Sequence, residues 1–112
     1  MQPADRIAIT GMGVVSPIGQ EVDTYWSGLV TGASGISAIE RFSTEGMRVK
    51  NGGEIKVFSD LIETGDRPFP DCRASRFLVL AASEALEMAH WHESPPEDHR
   101  LGVVIGTALG GI

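Results

Sequence analysis

Apolar positions along the chain fall into two kinds of run. Two are short, uninterrupted and glycine-ended: Arg6-Ile7-Ala8-Ile9-Thr10 runs into Gly11-Met12-Gly13, and Leu101-Gly102-Val103-Val104-Ile105 runs into Gly106-Thr107-Ala108-Leu109-Gly110-Gly111. Each reads as a buried strand entering a tight turn. The other two runs carry the helical period. Val22, Tyr25, Trp26, Leu29 and Val30 share one face of a helix predicted over 21–30, with Glu21 and Asp23 in its first turn and Gly32 placed to end it. Ala74, Phe77, Leu78, Ala81, Ala82, Ala85, Leu86 and Ala89 form a stripe on a second helix predicted over 71–89, with Asp71 as its cap. Five alanines in that stripe imply that another backbone comes close.

The connections are less regular. Pro17 keeps Ser16 out of helical geometry, so 14–19 reads as a loop. Residues 53–58 alternate like a half-buried strand, 64–68 form a turn, and 93–98 make a polar break. The order strand, helix, irregular segment, helix, strand predicts an α/β class, with helices layered on a mixed or parallel sheet. Two helices are meagre cover for strands that need both faces buried. The arrangement looks unfinished, and the chain alone is expected to be poorly folded or associated.

Composition sharpens this picture at a few points. There are 14 glycines in 112 residues, well above the usual share of about 7%. They gather at the ends of apolar runs, as turns and close approaches require, rather than spreading as in a linker. Fifteen acidic residues against nine basic ones give a net charge of -6, which repels phosphate backbones and argues against nucleic-acid binding. The single cysteine, Cys72, excludes an internal disulfide, and three histidines without cysteine partners make no zinc site. Neither a signal peptide nor a membrane-length apolar stretch is visible, so the expectation is a cytoplasmic protein with no membrane role.

Three features invite a chemical reading. Gly11-Met12-Gly13-Val14-Val15-Ser16 follows a strand but carries Ser16, then Pro17, where the dinucleotide fingerprint needs its third glycine and a helix start. Cys72 stands at the beginning of the second helix beside Arg73, with Arg76 one turn on; that setting lowers a thiol pKa, yet no histidine or asparagine lies nearby in sequence to serve as its base. His90 and His92 point about 200° apart on a helix and suit its C-terminus better than a shared metal.

Taken in order, these segments resemble the N-terminal part of β-ketoacyl-acyl-carrier-protein synthases of the fatty-acid condensing type. The resemblance runs through residues 6–19, Trp26, Gly32-Ala33-Ser34-Gly35-Ile36, Arg41-Phe42, Gly53-Glu54-Ile55, the alanine-rich helix through Phe77, and residues 102–111. It implies a thiolase-like layered fold, of which residues 1–112 form an incomplete N-terminal half ending before the catalytic cysteine motif. It also implies decarboxylative Claisen condensation of an acyl thioester with a malonyl thioester. In that reaction a cysteine takes the acyl chain, two histidines assist decarboxylation and an oxyanion hole stabilises the intermediate, with no cofactor.

The nucleophile belongs to a Thr-Ala-Cys-like motif that is not in this chain, and Cys72 is not at that position. No catalytic residue is therefore assigned. Two roles carry over from the resemblance. Leu109 corresponds to the residue that limits acyl-chain depth. Arg73 matches a basic position that meets the acidic acyl carrier protein, with Arg67 nearby, although Phe69 and Cys72 stand where relatives often carry basic residues. The family further implies a homodimer for the full-length enzyme. The alternatives are a non-catalytic chain-length-determining partner subunit, told apart by the residue at the nucleophile position, and a truncated interaction module.

Overall fold

The computed structural model describes residues 6–56, 72–97 and 100–108. Its elements are α1 (Val22–Thr31), β1 (Ile36–Ala38), β2 (Asn51–Gly53) and α2 (Arg73–Met88). The two strands pair antiparallel, with Ile36 opposite Gly53, Ser37 opposite Gly52 and Ala38 opposite Asn51. Both helices stand within a residue or two of their predicted bounds. No helix among the described residues is long and apolar enough to cross a membrane.

The two glycine-ended apolar runs differ from their prediction. Residues 6–10 and 101–105 join no sheet among the described residues, and the layered α/β sheet is not assembled here. Their side chains stand in the open: Ile7 is 97% and Val104 99% exposed. A strand is defined by its ladder, and neither run has a neighbouring strand to bond. The strand expected from Gly53 also ends at its first residue. Beyond Gly53, Glu54 turns its carboxylate onto the backbone N–H groups of Glu40 (3.0 Å) and Arg41 (2.9 Å), at the far end of β1, instead of continuing the pairing toward Gly35. Val57, Phe58, the 64–68 turn and the Asp71 cap lie outside the described residues.

Close packing between α2 and the N-terminal loop organises the rest. A Cβ on Gly11 would overlap the Ala85 carbonyl, and one on Gly13 would overlap the Ala81 carbonyl. The glycines of the loop and the alanines of the helix thus meet backbone to backbone. Glu84 fixes the same contact from the helix side: its carboxylate accepts from the N–H of Val14 (2.9 Å) and from that of Val22, the first residue of α1 (2.6 Å). The remaining start of α1 is closed by a reciprocal capping box between Glu21 and Thr24.

The two helices end alike, with different residues. At α1, Gly32 takes the left-handed conformation (φ 70°) while Gly32 and Ala33 donate to the carbonyls of Leu29 and Gly28. At α2, His90 takes it (φ 52°) while His90 and Trp91 donate to Glu87 and Leu86. The α2 end therefore carries strain that glycine relieves at the α1 end.

The apolar face expected of α1 is largely open. Trp26 is 65% and Val30 68% exposed, whereas Gly28, against Ile18, is the buried residue of the helix. No hydrophobic side chain is buried among the described residues. What holds them together is glycine–alanine contact and carboxylate-to-backbone bonding.

Two substitutions test this. Glu84→Ala leaves the Val14 and Val22 N–H groups without their acceptor and is expected to lower stability by about 2 kcal/mol, allowing for partial solvation of the pair. Measured in the full-length polypeptide that contains these residues, a urea midpoint equal to that of the unsubstituted protein would show the clamp to be incidental. His90→Gly removes the left-handed strain and is expected to stabilise by about 0.5 to 1 kcal/mol, after the added freedom of glycine in the unfolded chain is set against it. A fall in the Tm of that full-length polypeptide would contradict this.

Candidate functional site

Of the residues singled out from the sequence, Arg73 and Cys72 lie together at the start of α2, while Arg67, Phe69, His99 and Leu109 lie outside the described residues. Arg73 is half-buried. Its guanidinium donates to the Ile55 carbonyl (2.5 Å) and lies over the Phe77 ring, 5.0 Å from the centroid. A planar cation is suited to both contacts at once, and the pair ties the first turn of α2 to the segment that follows the hairpin.

Around Arg73 the fold gathers charge from three distant stretches. Glu40, Arg41, Glu54, Ile55, Lys56 and Arg73 wall an open cavity of about 270 Å³. Lys56 pairs with Glu40 at its rim, and Glu54 is held by the two backbone amides described above. A second cavity of about 260 Å³ lies on the other side of residues 54–56, lined there by Ser16, Pro17, Gln20, Ser34, Gly35 and Ser37. Residues 54–56 are thus a partition between two polar hollows. The hollow on the Arg73 side holds three cations, Arg41, Lys56 and Arg73, together with two carboxylates, Glu40 and Glu54.

Cys72 is half-buried at the N-cap of α2. The backbone N–H of Ser75 holds its thiol below the ordinary value of 9.0, helped by the Ser75 hydroxyl and the Ala74 N–H, while partial burial works in the opposite sense. No base faces it among the interactions of the described residues, so the setting gives a more acidic thiol without assembling a nucleophile–base pair.

The other candidates resolve as structural features. Gly11 and Gly13 admit the α2 backbone, and the first N–H of α1, which a phosphate would need, is taken by Glu84. His90 holds the left-handed position after α2, with Nδ1 3.3 Å from Glu93 Oε1, both exposed. Among the described residues, no group of three histidine, cysteine or carboxylate side chains is arranged to hold a metal.

Glu84 and Glu54 were not legible as special. Glu84 had one signal, a carboxylate three residues after Ala81 and next to Ala85, on the flank of a stripe whose alanines already implied close approach. A charge at such a position must bond to whatever backbone arrives. Glu54 had no signal of that kind.

Residues 4–111 match the model of the β-ketoacyl synthase N-terminal domain. The chain belongs to the β-ketoacyl synthase family, as part of that N-terminal domain. It is 35% identical, over 98% of its length, to 3-oxoacyl-[acyl-carrier-protein] synthase I, chloroplastic, of Arabidopsis thaliana. It is 37% identical, over its whole length, to 3-oxoacyl-[acyl-carrier-protein] synthase 2 of Staphylococcus aureus, and 34% identical over 98% to the chloroplastic synthase I of Hordeum vulgare. It spans about a quarter of each relative, between 24% and 27% of their lengths.

The thiol at the start of α2 gives a direct test. Cys72 is expected to be alkylated by iodoacetamide with a pH midpoint below 9.0, and Ser75→Ala is expected to move that midpoint upward. The stability linked to this lowered pKa is full above the unfolded-state value and is lost as pH falls through the folded-state value. A midpoint at or above that of a free cysteine peptide would overturn the assignment.

Proposed function

We propose that this chain is the N-terminal portion of a β-ketoacyl-acyl-carrier-protein synthase that lengthens an acyl chain by decarboxylative condensation with a malonyl thioester. The observation that carries this reading is the near-complete coverage of the chain by the family's N-terminal domain, at 34–37% identity to three synthases. The glycine–alanine contact supports it physically. The segments that carry the resemblance in sequence, residues 11–13 and the alanine-rich helix, are the ones that pack together.

In this reading the chain supplies scaffold and substrate contacts, and the acyl-accepting cysteine comes from outside its 112 residues. The exposed Ile7, Ile9, Val103 and Ile105 are then sheet residues whose cover comes from the remainder of the synthase. Acyl carrier protein and thioester substrates are the proposed partners. Arg73 and Arg67 serve the carrier, Leu109 limits acyl depth, and the assembled enzyme is a cytoplasmic homodimer that needs no cofactor. Two relatives named chloroplastic show that location varies within the family.

The half-buried setting of Arg73 refines its part. With its guanidinium held by Ile55 and Phe77, Arg73 presents a fixed charge rather than a mobile one, which favours carrier docking over chemistry.

The experiment is a condensation assay on the full-length polypeptide that contains these residues, with acyl-carrier and malonyl-carrier substrates. Product formation that disappears when the cysteine of its Thr-Ala-Cys-like motif is replaced by alanine supports the proposal. A folded full-length protein with no cysteine at that position and no condensation would point to a chain-length-determining partner. In the same assay, Arg73→Glu is expected to raise KM for the carrier substrate about tenfold, the effect of roughly 1.4 kcal/mol, with kcat little changed. An unchanged KM would remove Arg73 from the docking surface. Leu109→Phe is expected to shorten the longest primer accepted by filling the end of the acyl pocket, and unchanged selectivity across a primer series would refute that role.

A further inference from the structure

We draw no further inference here: the strongest candidate, the cavity of about 270 Å³ between the hairpin and the start of α2, belongs to the site already described, because Lys56 and Glu40 neutralise each other, Glu54 has both carboxylate oxygens on backbone amides and Arg73 is held by the Ile55 carbonyl and the Phe77 ring.

Discussion

The carboxylate of Glu84 is the interaction on which the described architecture turns. From one position on α2 it reaches Val14 in the N-terminal loop and Val22 at the start of α1, so one carboxylate ties two neighbouring stretches of the N-terminal region to a distant helix. It can do so only because Gly11 and Gly13 lack side chains and Ala81 and Ala85 have minimal ones. The geometry is cooperative in a plain sense. Without the close approach the carboxylate could not span both amides, and without the carboxylate two amides at the contact would lose their acceptor.

This manner of cohesion differs from an ordinary hydrophobic core. With no hydrophobic side chain buried among the described residues, little stabilisation comes from removing apolar surface from water. Hydrogen bonds to charged acceptors and backbone contacts fix geometry well but contribute modest net free energy each. The same economy recurs at Glu54, which joins the β1–β2 hairpin to the Glu40–Arg41 backbone, and at Arg73, which joins α2 to Ile55. The described part is thus a set of elements positioned by polar clamps, with Trp26, Val30, Ile7 and Val104 facing outward.

Both helices were legible in the sequence because their signals are local. The period of Val22, Tyr25, Trp26, Leu29 and Val30 and the alanine stripe of α2 each depend on residues within a few turns, and Gly32 ends α1 as its lack of a Cβ permits. The use of His90 at the matching position of α2 was not legible, since histidine carries no such preference strong enough to mark a helix end. The close approach of a backbone to the alanines was legible in kind; its partner, residues 11–13 of the N-terminal loop, was not. The two apolar runs were read as buried strands and stand exposed and unpaired among the described residues, because a ladder needs a neighbour and none runs beside them there.

By itself the sequence determined the family, the two helices, the glycine that ends α1 and the absence of the Thr-Ala-Cys-like motif from these residues, because each is written in residue type and spacing. Only the tertiary structure decided that Glu84 and Glu54 are clamps, that Arg73 is anchored rather than free, and that α1 buries Gly28 instead of its aliphatic face. The reason is physical. A carboxylate or guanidinium in a helix or loop has many possible partners of similar strength, and which one it takes depends on which backbone the rest of the fold brings within 3 Å or so.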